Sequence, residues 1–252
     1  MVFRARILPG APELDPRSLP LGPAPPPDLP LLARHRTGWT ARLDLPGLGP
    51  CVLKVYGHPG LEPLRGAFRT TFLAPSRVAR EARTLLWLRE RGLGAPEPLA
   101  FGERRLLGWL RQAWILTRYL PAPDLERLLG EGLPPGPSPA RALGAWLGRA
   151  HALGLEDRNP HLRNFLARPA GPGRWEIFKV DSPKARLHRG PAPAGARGRD
   201  LAVLGEEARR LGIPFRERKA FLRAYRRAYG ETFAESAGGI SKRKVTGPSF
   251  TR

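Results

Sequence analysis

Val52-Leu53-Lys54-Val55-Tyr56 is a short apolar run, rich in β-branched and aromatic residues, with a single charge at its centre. Such a composition reads as a buried strand. Lys54 is the only lysine in the first 178 residues, and of the chain's 43 basic residues six are lysine. Where nearly every basic position is arginine, a lysine inside a strand marks a need for a compact ammonium rather than a planar fork. A nucleotide phosphate fits that description, and so does a carboxylate. A strand-edge lysine that carries its amine out to water is the plainer alternative.

Working outward, a second strand signal spans Thr40 to Leu45. The turn-like Pro46-Gly47-Leu48-Gly49-Pro50 joins it to Cys51 to Tyr56. Ser76 then offers an N-cap to a helix from Arg77 to Arg91, closed by Gly92. Val78, Ala82, Leu85 and Leu86 recur at helical spacing, and Glu81 falls on their inward face. An inward carboxylate needs a cation. Lys54 on the preceding strand is the nearest lysine, while Arg77 and Arg80 on the same helix compete for the pairing.

Further on, Pro96 and Pro98 begin an extended stretch, and Trp114 to Leu120 reads as a buried strand. Asp124 caps a short helix through Leu129, and a Pro134-Pro135-Gly136-Pro137 loop leads to Ser138-Pro139. That cap and first-turn proline open a helix to about Leu153, stopped by Gly154. Phe165 to Ala167 and Trp175 to Val180 read as short strands, and residues 189–199 as a flexible loop. Helices follow from Asp200 to Leu211 and from Pro214 to Tyr229, the last with Phe221, Leu222, Tyr225 and Tyr229 on one face. The order predicts an α+β protein with a β-rich N-terminal lobe over 31–120 and a helical C-terminal lobe over 121–235. Residues 1–30, crowded with proline, are expected to be a disordered lead-in, and residues 236–252 a basic disordered tail.

The chain has 252 residues, 41% of them apolar and 26% charged, which suits a globular protein with a real core. Cys51 is the only cysteine, which excludes a disulfide framework or a cysteine metal site and fits a reducing cytoplasm. The start, Met1 to Pro9, lacks the apolar stretch of a signal peptide, and no segment reaches the ~18 apolar residues of a membrane span. Membrane contact is therefore expected to be peripheral and electrostatic. A net charge of +21 attracts nucleic acid, anionic membrane surfaces, nucleotides and acidic glycolipids alike. The excess is spread along the chain, as a general compositional bias would also produce. His35, His58, His161 and His188 show no metal spacing, and Trp109 and Trp114 read as core rather than as platforms for bases.

The segment His151-Ala152-Leu153-Gly154-Leu155-Glu156-Asp157-Arg158-Asn159-Pro160-His161-Leu162-Arg163-Asn164 resembles the catalytic loop of the protein-kinase superfamily, H-R-D-L-x-x-x-N. The histidine ending the helix, the glycine three residues on and the final asparagine share its register. Asp181, in Lys179-Val180-Asp181-Ser182-Pro183, takes the place of the magnesium-binding D-F-G aspartate, without its Phe-Gly. Within that superfamily, Phe68-Arg69-Thr70-Thr71-Phe72, Pro75-Ser76-Arg77, Arg80-Glu81, Pro96-Glu97-Pro98, Arg199-Asp200-Leu201-Ala202 and Phe221-Leu222-Arg223-Ala224-Tyr225 resemble the bacterial lipopolysaccharide kinase (Kdo/WaaP) family, over about residues 36 to 230.

The resemblance implies a two-lobed protein-kinase-like fold holding ATP and Mg²⁺ between its lobes. It implies a phosphotransferase acting on core sugars of an acidic glycolipid at the inner membrane face. Lys54 would hold the α/β-phosphates, Glu81 would orient Lys54, and Asn164 and Asp181 would hold the metal. Asp200 would brace the catalytic loop, a plain N-cap being its competing role. Two departures stand out. Asn159 occupies the general-base position, where an amide orients a hydroxyl but accepts no proton; Asp157, two residues earlier, is the candidate stand-in. Gly38, in Arg36-Thr37-Gly38-Trp39, is the lone glycine where the family shows several, and is the candidate for backbone approach to the nucleotide. The readings left open are a slow kinase, a pseudokinase that binds nucleotide or a partner, and a nucleic-acid binder favoured by charge alone.

Overall fold

Alternation along Gly49–Gly57 sets out the first half of the molecule. Cys51, Leu53 and Val55 are buried, while Val52, Lys54 and Tyr56 lie on the opposite, partly open face. In the computed structural model, which describes residues 2–57, 72, 74–131 and 138–243 and side chains through 234, this strand is β4 of a six-stranded antiparallel sheet. The other strands are β1 (Val2–Ile7), β2 (Leu31–His35), β3 (Gly38–Leu45), β5 (Pro98–Leu106) and β6 (Trp109–Arg118), in the order β1-β5-β6-β4-β3-β2. Helix α1 (Arg77–Glu90) packs on β5 and β6. Ser76 caps it by accepting from the Ala79 amide at 3.2 Å.

The chain forms two compact units, Met1–Pro121 with Val180–Lys184, and Ala122–Lys179 with Ala185–Arg252. The first holds the sheet and α1. The second is mainly helical, with α2 (Leu125–Gly130), α3 (Pro139–Ala152), α4 (Ala194–Arg210) and α5 (Phe215–Arg243). It also carries β7 (Leu155–Glu156) paired with β10 (Arg186–Leu187), and the hairpin of β8 (Phe165–Pro169) and β9 (Trp175–Lys179). Gly144 and Gly148 of α3 admit the α5 backbone, since a Cβ at either would fall on the carbonyl oxygen of Phe221 or Tyr225. The α+β architecture, β-rich then helical, is the expected one.

Three expectations are corrected. The proline-rich lead-in is ordered: Val2–Ile7 pairs with β5, and Ala11, Leu14, Leu19 and Leu21 are buried against Trp39, Leu53 and Val55 on the sheet face away from Lys54. Prolines suit an extended strap that makes few ladder bonds, and the leucines between them anchor it at roughly 1.5–3 kcal/mol each. Trp39 Nε1 donates to the Gly22 carbonyl at 3.2 Å and Gln112 Nε2 to that of Leu21, fixing the strap's end. Second, the supposedly flexible 189–199 contains the first turn of α4, so Asp200 lies inside that helix and does not cap it. Third, the last helix continues to Arg243, past the expected start of the tail at 236. Residues 244–252 of that tail, the Pro134–Pro137 loop, His58 and the Phe68–Thr71 part of the family signature lie outside the described residues.

Candidate active site

Lys54 leaves β4 on the face opposite the strap and meets two carboxylates. Its Nζ donates to Glu81 Oε1 at 2.7 Å and to Asp181 Oδ1 at 3.3 Å. Glu81 reaches inward from α1 with 2% of its side chain exposed, Lys54 has 16%, and Asp181 has 35%. The water-seeking lysine and the Arg77 or Arg80 pairing for Glu81 are thereby set aside. Burial alone would pull the ammonium down, but Glu81 and Asp181 outweigh it and hold Lys54 above the ordinary lysine range. Burial pushes the neighbouring Tyr56 hydroxyl up to about 12. Asp181 adopts φ 57°, a left-handed conformation that costs a non-glycine residue about 1–2 kcal/mol.

Gly38 opens β3 opposite Tyr56, where a Cβ would strike the Val55 carbonyl oxygen. The close approach of two strands is therefore enough to require glycine there. Arg36 and Thr37 form the tight turn between β2 and β3.

In the helical unit, Asp200 is the organising group. Its carboxylate, 2% exposed, accepts the backbone N–H of Asp157 at 2.8 Å and of Arg158 at 3.0 Å. Arg158 stands at φ 62°, so these two bonds hold the loop in a conformation it would otherwise leave. His151, fully buried at the end of α3, lies between Asp200 Oδ2 at 3.3 Å and the Tyr225 hydroxyl at 2.9 Å. Asn164 Nδ2 donates to the Asn159 carbonyl at 3.1 Å, so the Asn164 amide oxygen, the harder donor, is the atom left for a cation. Asn159 itself is half-buried.

Asp157 is fully buried, its carboxylate 3.4 Å from the equally buried Lys179 ammonium. Burial pushes its carboxyl up, with Lys179 pulling the other way. A group with no exposure does not touch an acceptor, which contradicts its reading as a stand-in base. Lys179 also reaches the Asn159 carbonyl at 3.4 Å and lies over the Phe165 ring. Sequence reasoning passed over this residue, although the signal was present: Lys179 is the second lysine of an arginine-rich chain, two residues before Asp181.

Among the described residues no three His, Cys, Asp or Glu side chains group as a metal cage. His161 pairs with Glu207 at 2.6 Å and His188 with Glu156 at 3.1 Å. Trp114 is core, and Trp109 packs on Phe72 at 4.9 Å. No described helix is long and apolar enough to cross a membrane.

Residues 62–225, more than half the chain, match the model of the lipopolysaccharide kinase (Kdo/WaaP) family. The lipopolysaccharide core heptose(I) kinase WaaP of Pseudomonas aeruginosa is 28% identical over 210 residues, covering 79% of this chain and 78% of that protein. Among solved structures, WaaP in complex with acyl carrier protein superposes with a TM-score of 0.58 at 23% identity, over 85% of this chain and 86% of the other. That likeness bears on the fold.

Proposed function

Since the chain belongs to the lipopolysaccharide kinase (Kdo/WaaP) family and is accordingly a phosphotransferase, we propose that it transfers the γ-phosphate of ATP to a sugar hydroxyl of a lipopolysaccharide core. The observation that carries the reading is Lys54, paired at once with Glu81 and Asp181. A lysine steered by a helix carboxylate is a phosphate-holding device, and the kinase mechanism needs that pair in place. Lys54 would take the α/β-phosphates, Glu81 would keep it aimed, and Gly38 would allow backbone approach by the nucleotide.

The donors suit Mg²⁺. Asp181 and Asn164 offer hard oxygens, and the lack of a cage among the described residues matches an ion that keeps waters and takes its other ligands from phosphates. When bound, Mg²⁺ neutralises charge developing on the transferred group. Asn159 would orient the acceptor hydroxyl without accepting its proton. General-base assistance is worth about 10²–10⁴ in rate, whereas positioning and electrostatics carry much of a loose phosphoryl transfer. A slow kinase is the expected result.

A second reading, a nucleotide-binding pseudokinase, is favoured by Asn159 together with the burial of Asp157. The surplus of 43 basic over 22 acidic residues suits an acidic glycolipid and peripheral contact with an anionic inner membrane face, and nucleic acid is not favoured. Purified protein with Mg·ATP and dephosphorylated lipopolysaccharide core tests the proposal. Phosphate incorporation that disappears in Lys54→Met supports it. Nucleotide-dependent thermal stabilisation without incorporation, even after Asn159→Asp, would leave the pseudokinase instead.

A further inference from the structure

We propose a second ligand site in the helical unit, in the cleft lined by α3, α5 and the turn between β8 and β9, which binds a phosphate-bearing sugar. The cleft has a volume of about 820 Å³, within the range of small-ligand sites. Arg141 enters it from the first turn of α3, Arg174 from the hairpin turn, and Arg223 and Arg227 from successive turns of α5. Glu231 holds Arg227 at 2.9 Å and is the only carboxylate among the described residues of the lining. The guanidinia of Arg141, Arg174 and Arg223 make no hydrogen bond or ion pair among the described residues.

Exposed arginines elsewhere on the helical unit and its hairpin are of two kinds. Arg127, Arg168 and Arg210 take carboxylates, whereas the guanidinia of Arg149, Arg163, Arg189 and Arg226 make no hydrogen bond or ion pair among the described residues. What sets the cleft apart is that its guanidinia line one concavity. Arg223 and Arg227, one turn apart, repel each other along the helix, and a multivalent anion in the cleft would turn that repulsion into attraction. Guanidinium forks match phosphate oxygens in geometry as well as charge. The floor between the helices is alanine, including Ala145 and Ala224, so the volume is not filled from within.

Trp175 gives the ligand its second half. It lines the cleft beside Arg174 and is half-buried. An indole surface next to cations suits a pyranose ring, whose axial C–H face packs on aromatic carbon while its phosphate meets the arginines. A bare ion needs no such surface or volume. The sugar assignment rests on the acceptor class proposed above, whereas the anion assignment rests on the cleft alone.

Calorimetric titration of the full chain without nucleotide tests both parts, with glucose 6-phosphate, glucose, inorganic phosphate and a hexaglutamate peptide as probes. Glucose 6-phosphate should bind more tightly than phosphate or glucose. Arg141→Gln/Arg174→Gln/Arg223→Gln should weaken it at least about tenfold, through loss of charge-assisted hydrogen bonds. Trp175→Leu should weaken glucose 6-phosphate while leaving phosphate unchanged. Unaltered binding by the triple variant, with a native melt, would overturn the site. Equal affinity for phosphate and glucose 6-phosphate, or preference for the acidic peptide, would overturn the sugar phosphate. Because no phosphoryl transfer is involved, and thermal stabilisation by Mg·ATP is read separately, failure here is distinguishable from failure of the kinase reading.

Discussion

Replacing Lys179 by methionine keeps most of the buried stem and deletes the ammonium facing Asp157. Both side chains have 0% exposure, so the remaining carboxyl has no water to turn to. Removing one partner of a buried pair costs about 3–5 kcal/mol, because the other charge is stranded. At 3.4 Å this pair is loose, and neither Asp157 oxygen has a hydrogen-bond partner, so less is lost than at an ideal site. Taking about 3–4 kcal/mol, and roughly 2–4 °C per kcal/mol for a chain of this size, the melting temperature should fall by roughly 6–16 °C.

The pH dependence has a definite sign. Burial already raises the Asp157 carboxyl, and losing Lys179 raises it further. A carboxyl raised in the folded state contributes stability that is fully present below its unfolded value of about 3.9 and is lost as the pH rises through the folded value. The Lys179→Met protein should therefore weaken as the solution becomes less acidic, by at most about 1.4 kcal/mol per pH unit. Adding Asp157→Asn should remove that slope and recover much of the loss. Calorimetric melts of wild type, both single variants and the double variant complete the cycle. Additive losses, or a Lys179→Met melt indistinguishable from wild type, would refute the pair as a coupled interior unit.

Lys54→Met and Asp181→Asn should each cut phosphate incorporation into lipopolysaccharide core by about 10²-fold or more, as loss of a charge-stabilising group does, read by transfer from labelled ATP. Asn159→Asp should raise turnover by up to about 10²–10⁴ if proton removal limits the rate, and steady-state kinetics with saturating acceptor would show it as kcat rather than KM. Deleting residues 1–22 removes Leu14, Leu19 and Leu21 and uncovers the sheet face they protect. At roughly 1.5–3 kcal/mol per leucine, the sheet unit should fail to hold its native state, seen as aggregation and rapid proteolysis. A stable, monomeric truncated protein would restore the picture of a dispensable lead-in.

The site residues were more legible than the terminal segments, for different physical reasons. Lys54 and Glu81 betrayed themselves by being out of place, a lysine among arginines and a carboxylate on an apolar helix face, and both anomalies resolve into one contact of 2.7 Å. Asp181 was found by its motif, and its 3.3 Å approach to Lys54 joins residues 127 positions apart. The strap of residues 1–30 was misread because proline content was weighed above the leucines spaced between the prolines; only the sheet opposite them shows that those leucines have somewhere to go. Asp200 was misplaced at a helix start because the glycines and arginines before it look like loop, whereas tertiary packing extends α4 back to Ala194. The Lys179–Asp157 pair had a compositional signal but no local one, since the partners are 22 residues apart and meet only when β9 lies beside the loop.

The geometry around Asn159 bears on whether the protein is a slow enzyme or a silent one. Asn159 lacks the proton-accepting oxygen, yet the loop carrying it is not relaxed. Arg158 is held at φ 62° by the Asp200 carboxylate, and the Asn159 carbonyl is gripped by Asn164 and reached by Lys179. Asp181 likewise stands at φ 57° beside Lys54. Non-glycine residues in that region are costly and persist where surrounding bonds over-determine them. Of the three described, Leu107 belongs to the turn between β5 and β6, Arg158 precedes Asn159, the group proposed for the acceptor, and Asp181 is itself proposed to hold metal. A module that only had to stay folded could dispense with two strained residues and a buried ion pair at these positions. On the reading proposed above, a loop fixed in this way would let the Asn159 amide orient a hydroxyl while proton transfer is weakened.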